Sequence, residues 1–167
     1  MLHRAVQSRL VLDDGAHCTI TRVDADRARG ADDDAVVVLT ISSMGFRLML
    51  LLRFRNDEAT SAYFTRGGTA GSLNDALLET GNLCCGAINQ DFVGHFADLG
   101  MSTPYILGGQ SQRHVDSLKP DYRADFEVAI GASVQLGVTM CLFTRVPLDF
   151  TVSEEVVEAS DGELELF

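Results

Sequence analysis

Apolar residues recur along this chain in two patterns, one typical of strands and one typical of a long helix. The strand pattern fills Val36–Ile41 and Phe46–Phe54, and it returns as an alternation in Tyr122–Ala132 and Val134–Arg145. Each pair is predicted to form an antiparallel hairpin. Because the first pair is apolar at nearly every position, we expect helices to cover one face and further protein, such as a second subunit, to cover the other.

The longest helical pattern runs from Ser72 to Phe96, with Ser72 or Asn74 as a suitable N-cap. A buried stripe of residues at helical spacing consists of Leu77, Leu78, Cys84, Cys85, Ile88 and Phe92. A second line, stepping by three and four along the other side, consists of Glu79, Asn82, Gly86, Asn89 and Val93. This second line is the candidate functional face.

Weaker patterns flank the central region. Residues 10–20 predict a small hairpin, and the charged residues 27–34 predict an exposed connector. The glutamate-rich end of the chain has no stripe wide enough to bury, so it predicts an exposed acidic tail. The predicted division is a hairpin and connector (1–34), an α+β unit (35–150) and the tail (151–167), forming a single domain overall.

Two short elements complete the predicted fold. Asn56–Phe64 predicts a short helix that Asn56 caps, and Met101–Gly109 predicts a short strand that contains Pro104. Together with the hairpins and the long helix, these elements predict a two-layer α+β fold. Its antiparallel β-sheet carries the long helix and the short helix.

Composition excludes several classes of function. A formal net charge of −11 opposes binding to nucleic acid, whose phosphates would be repelled. The apolar runs are too short to insert into a membrane, and no signal-peptide pattern opens the chain, so a cytoplasmic location is predicted. The four cysteines lack metal-binding spacing and are predicted to be reduced thiols in the core, with no metal and no cofactor.

The segment ETGNLCCG at Glu79–Gly86 fits the ExxNxxxG signature of the CheC/CheX/FliY chemotaxis phosphatases, and the chain resembles this family. The resemblance extends, in the family's order, to the hairpin at Val36–Phe54, the short helix at Asn56–Phe64 and the proline-glycine strand at Thr103–Gly108. The chain contains one ExxN motif, which resembles the CheX arrangement, since CheC-like members usually carry two such motifs. The family usually opens with a helix, whereas Met1–Thr21 predicts strands.

The resemblance implies a phosphatase that hydrolyses the phospho-aspartate of a response-regulator receiver domain. Asn82 would position the attacking water, Glu79 would anchor the receiver through a lysine, and Gly86 would let the partner approach. Asn89 and Val93 would be contacts at the rim. Magnesium would be bound to the receiver, this chain would need no cofactor of its own, and the protein would be a homodimer.

The residue types also leave other interpretations open. Gly81, Asn82 and Gly86 are poor helix formers, which indicates that something other than helix stability selected them. Glu79 alone is an ordinary residue for an exposed helix face, and Gly81 between the motif residues is compatible with an inactive member. The alternatives are a non-catalytic receiver-binding domain and a structural dimerisation domain of a signalling or flagellar-switch assembly.

Overall fold

The computed structural model describes residues 1–12, 15–66 and 71–148. Its strands are β1 (Cys18–Val23), β2 (Ala35–Ser42), β3 (Phe46–Phe54), β4 (Gly100–Met101), β5 (Tyr105–Gly108), β6 (Tyr122–Ile130) and β7 (Val134–Thr144). Its helices are α1 (Leu2–Arg9), α2 (Ala25–Ala28), α3 (Glu58–Phe64) and α4 (Leu73–Val93), with 3₁₀ turns at Gly109–His114 and Asp116–Leu118. The strands form one antiparallel sheet in the order β1-β6-β7-β3-β2-β4, and β5 also pairs with β2.

Alternation along the strands separates the two faces of the sheet. In β3, Leu48, Leu50 and Leu52 belong to the main core, which also contains the buried side chains of α1, α3 and α4. Leu51, between them, belongs to a smaller cluster on the opposite face, and Met49 packs against that cluster. The predicted fold class is confirmed, because an antiparallel sheet carries the long and the short helix on one face.

Helix α4 begins at Leu73, directly after the predicted cap. The Ser72 hydroxyl accepts the N–H of Asp75 at 3.2 Å and donates to the Asp75 carboxylate at 2.7 Å. Asp75 also lies at the positive end of the helix dipole, where a negative charge is stabilised. The helix ends at Val93, before the predicted Phe96. The predicted stripe is buried except for Leu78, which is half-buried.

Gly81 brings the backbone of α4 close to β2. A Cβ atom at this position would lie 2.7 Å from Cγ1 of Val37 and 3.3 Å from Cδ1 of Leu39. Both neighbours are fully buried, and the β-branched Val37 has little freedom to move aside. The glycine between the motif residues therefore has a packing role, which explains one of the three poor helix formers.

The apolar part of the opposite face of the sheet is covered by the chain itself. Val115, between the two 3₁₀ turns, is buried in a cluster with Val36, Val38, Leu51 and Cys141. The apolar pattern of these strands predicts further protein on this face. Since residues 109–118 supply that cover, burial of these strands does not require a second subunit.

A buried ion pair attaches residues 24–34 to the same face. Nη1 of Arg53 is 2.8 Å from Oδ2 of Asp34, and Nε of Arg53 donates to the carbonyl of Ala28 at 3.1 Å. Asp34 also accepts the N–H of Ala31 at 3.0 Å, and it is only 4% exposed. Residues 27 and 29–33 are exposed, as a connector would be, but Ala28 and Asp34 are buried. A local pattern does not reveal this burial of Asp34, because its counter-charge, Arg53, comes from a distant strand.

The predicted N-terminal hairpin is wrong. Helix α1 buries Leu2 and Val6, and Leu10 continues its apolar side. The run that begins at Leu10 resembled a strand, but Leu12 instead donates its N–H to the hydroxyl of Tyr63 at 2.6 Å. Strand β1 pairs with β6, far along the chain, rather than with the residues before it. A helix therefore precedes the sheet, as in the family that the chain resembles.

Smaller differences concern caps and strand ends. The cap of α3 is Asp57 rather than Asn56, and its carboxylate accepts the N–H of Thr60 at 2.8 Å. This hydrogen bond lowers the pKa of Asp57. The predicted strand at Met101–Gly109 is divided in two around Pro104, which has no N–H to donate. The predicted tail lies outside the described residues, and the division at residues 34 and 150 stays a prediction.

We expect Gly81→Ala and Gly86→Ala to change stability in opposite directions. At position 81 the added methyl would clash with Val37, so urea denaturation should give a free energy of unfolding lower by about 1–2 kcal/mol. At position 86 a Cβ atom would meet nothing within 4 Å. The better helix propensity of alanine should therefore raise the free energy of unfolding by about 1 kcal/mol. Equal effects of the two substitutions would contradict the packing role of Gly81.

The buried ion pair generates a second stability prediction. We expect Asp34→Ala to lower the free energy of unfolding by roughly 3–5 kcal/mol, because it leaves the Arg53 guanidinium buried without its counter-charge. Asp32→Ala is the control, since Asp32 pairs with Arg113 while both side chains are well exposed. That change should cost less than about 1 kcal/mol. Similar losses from the two variants would show that the buried pair has no special role.

Candidate functional site

Glu79 and Asn82 lie one turn apart on the side of α4 that faces away from the sheet. Glu79 is exposed, and Asn82 is half-buried. Because side chains three residues apart on a helix are neighbours, the carboxylate and the carboxamide share one surface. Neither group is buried against the sheet, so both are accessible to a partner.

Both side chains are unengaged within the described part of the chain. They form no hydrogen bond and no ion pair with residues 1–12, 15–66 or 71–148. Asp91 on the same helix, by contrast, is held by Arg4 of α1. The carboxylate of Glu79 therefore keeps its capacity to accept hydrogen bonds, and the amide of Asn82 can both donate and accept.

Gly86 lies one turn beyond Asn82, and because it has no side chain the helix backbone is uncovered at this position. A Cβ atom at this position would meet nothing within 4 Å, whereas one at Gly81 would meet Val37. Packing within the described chain therefore gives no reason for glycine at position 86, although glycine costs about 1 kcal/mol against alanine in a helix. The gap beside Asn82 is open to an approaching molecule.

The two predicted rim contacts differ in accessibility. Val93, the last residue of α4, is 53% exposed. Asn89 is half-buried, and its Oδ1 atom is closed off from solvent without a hydrogen-bond donor from the described residues. The Val93 side chain is thus available for contact, while the side-chain oxygen of Asn89 is enclosed. Both assignments stay predictions.

Leu83 was not among the predicted site residues. It is 43% exposed and directly follows Asn82. Its position outside the buried stripe was the available signal, but the resemblance drew attention only to the motif residues. We define the outer face of α4 as the following exposed or half-buried residues on the side away from the sheet: Asp75, Glu79, Asn82, Leu83, Gly86, Gln90 and Val93.

The cysteines near the motif belong to the other side of the helix. Cys84 and Cys85 are fully buried, and burial raises the pKa of each thiol to about 12. Both are therefore neutral thiols at physiological pH rather than nucleophiles. Within the described ranges, no group of three or more histidine, cysteine or acidic side chains is arranged to hold a metal ion.

The motif residues lie on an open surface. Clefts elsewhere in the molecule are lined mainly by strand residues, as in the small cavity of about 110 Å³ beside Thr19, Arg53 and Gln135. Neither Glu79 nor Asn82 lines this cavity or three other clefts formed by described residues. An exposed acid and amide on a convex helix suit a macromolecular partner, whose own surface would complete the site.

None of the described helices combines the length and the apolar composition of a membrane span. The sequence matches no protein-family model. No curated protein matches it either.

Solved structures, in contrast, resemble most of the chain. A chain of the CheX–CheY–BeF₃–Mg²⁺ complex from Borrelia burgdorferi has a TM-score of 0.60 at 10% identity, and the match covers 85% of this chain and 92% of that one. Chemotaxis protein CheX from Vibrio vulnificus has a TM-score of 0.61 at 13% identity, covering 84% and 95%. A chemotactic CheC-like protein from Shewanella oneidensis has a TM-score of 0.55 at 11% identity, covering 84% and 92%. The chain therefore has a CheX-like fold.

Proposed function

We propose that this chain is a phosphatase that hydrolyses the phospho-aspartate of a response-regulator receiver domain. The observation that carries the proposal is the pair Glu79 and Asn82, which lie side by side, accessible and unengaged on the outer face of α4. The fold similarity supports it, since one of the similar structures is a complex of CheX with CheY, BeF₃ and Mg²⁺.

The chemistry needs little more than one well-placed water. An acyl phosphate is already activated, so a water oxygen that attacks phosphorus displaces the aspartate carboxylate and releases inorganic phosphate. The Oδ1 atom of Asn82 would accept a proton of that water in a hydrogen bond and hold the oxygen in line with the bond that breaks. Its Nδ2 group is left to donate to the phosphoryl oxygens.

Glu79 would anchor the receiver beside this water. Its carboxylate is exposed one turn before Asn82, within reach of a lysine on a docked domain. A charge-assisted hydrogen bond between the two would fix the helix over the phosphorylated aspartate. Gly86 would allow close approach, because its position is open to solvent and carries no side chain.

Other parts of the proposal follow from the receiver. The magnesium ion belongs to the receiver, where it would balance the charge of the phosphoryl group. A receiver partner also implies a cytoplasmic location. The homodimer rests on the family resemblance, because residues 109–118 already cover the apolar strands that had favoured a second subunit.

We expect Asn82→Ala to lower the rate constant for loss of phosphate from the receiver at least about 100-fold at saturating protein, because the water loses its positioning group. Glu79→Gln should instead weaken binding of the receiver about tenfold, since an ionic contact becomes a neutral one. Release of ³²P from purified, phosphorylated receiver domains of the same genome measures both effects.

Asn74→Ala is the matched control, because Asn74 is an exposed asparagine in the first turn of the same helix. It should leave the rate unchanged. If the wild-type chain binds receivers without accelerating phosphate loss, a non-catalytic binding domain replaces the proposal. If it neither binds nor accelerates, a structural role remains as the alternative.

Gly86 supplies a separate functional test. We expect Gly86→Ala to reduce the rate of phosphate release about tenfold or more, because a methyl group would hold the partner away from Asn82. Gly100→Ala is the control, since a Cβ atom at Gly100 also meets nothing within 4 Å but lies on β4. An unchanged rate for Gly86→Ala would show that the open position has no role in approach of the partner.

A further inference from the structure

Leu83 is a solvent-exposed leucine beside the two motif residues. It is 43% exposed, whereas Leu77, two turns earlier on the same helix, is buried. Single exposed apolar residues are common on protein surfaces, so exposure alone assigns no role. The position of Leu83 on the outer face of α4 provides the reason to consider one.

The flanks of α4 are identified by its neighbours. The ion pair of Asp91 with Arg4 puts α1 along one flank, and α4 contacts β5 at the edge of the sheet. At about 100° per residue, Leu83 lies about 80° around the helix from Asp91, whereas Asn82 lies about 180° from it. Leu83 is therefore on the α1 side of the outer face, and Asn82 is on the side away from α1.

Glu79 and Gly86 lie between these two flanks. On the helical wheel, both fall between Asn82 and Leu83, so the acid and the bare backbone separate the amide from the apolar side chain. A partner that reaches Asn82 across Gly86 would also cover Leu83. Interfaces commonly combine an apolar anchor with such a polar surround.

The charge of the helix indicates the kind of partner. Helix α4 carries three acids, Asp75, Glu79 and Asp91, and no lysine or arginine. Arg4 neutralises Asp91, which leaves the outer face with Asp75 and Glu79 as its charges. A complementary surface would present basic groups next to an apolar recess.

We propose that Leu83 is the apolar anchor by which the outer face of α4 docks on the face of a receiver domain that carries the phosphorylated aspartate. This inference rests on the proposed function and assigns Leu83 to affinity rather than to chemistry. Leu83 contributes buried apolar area in the complex, and Asn82 contributes the position of the water. Their variants should therefore change different kinetic constants.

The test measures binding and hydrolysis separately. Purified receiver domains of the same genome are loaded with beryllofluoride and Mg²⁺, which mimic the phosphorylated state without turnover, and are titrated with wild-type chain, Leu83→Ala and Leu118→Ala. Leu118 is the matched control, because it is 51% exposed but lies in the 3₁₀ turns on the opposite face of the sheet. Alanine is a good helix former, so Leu83→Ala should fold.

We expect Leu83→Ala to raise Kd and KM about tenfold while kcat stays within about twofold, and Leu118→Ala to change none of them. A Kd for Leu83→Ala within about twofold of wild type would overturn the proposal, as would an equal loss in Leu118→Ala. Absence of binding to every receiver would overturn it as well.

The outcomes separate the two proposals. Binding that depends on Leu83 without any hydrolysis would leave the docking inference standing and remove the phosphatase. Hydrolysis that is insensitive to Leu83 would leave the phosphatase and remove the anchor.

Discussion

The close contact between α4 and β2 is the constraint on which the candidate site depends. Gly81 faces Val37 so closely that a Cβ atom would lie 2.7 Å from the valine Cγ1. This contact sets both the height of the helix above the sheet and its rotation about its own axis. With Gly81 turned toward the sheet, Glu79 lies about 160° around the helix and is exposed, while Asn82 lies about 100° around it and is half-buried.

The fold therefore accounts for some unusual residues and not for others. Gly81 is required by packing, and Cys84 and Cys85 fill the core below the helix. Asn82 and Gly86 satisfy no such need, since the amide is unengaged in the described chain and the glycine faces open space. Residues that weaken a helix without improving its packing are typical of functional surfaces. This contrast, rather than the motif alone, is the physical case for a docking face.

Local patterns predicted the parts of the fold that depend on neighbours in sequence. The hairpin of β2 and β3 and the buried stripe of α4 follow from periodicity, and both are present. The errors involve distant contacts. Asp34 is buried because Arg53 meets it from β3, and β1 pairs with β6, which lies about a hundred residues later. No local window contains either partner.

The surroundings of the candidate site were predictable to a similar extent. Glu79 and Asn82 are candidates because their spacing fits a known signature, and neither side chain is buried against the sheet. The enclosure of the Asn89 oxygen and the exposure of Leu83 depend on how the neighbouring elements pack, which sequence spacing does not report. At 10–13% identity, the solved structures show the fold of the chain.

The most direct test of the account is a methyl NMR spectrum of the chain, labelled at leucine and valine, as beryllofluoride-loaded receiver is added. The central claim is that the outer face of α4 is the docking surface. It predicts that the methyl signals of Leu83 and Val93, the exposed apolar residues of that face, shift or broaden, while those of Leu118 on the opposite face stay in place. Perturbation of Leu118 with unchanged Leu83 and Val93 would contradict the claim.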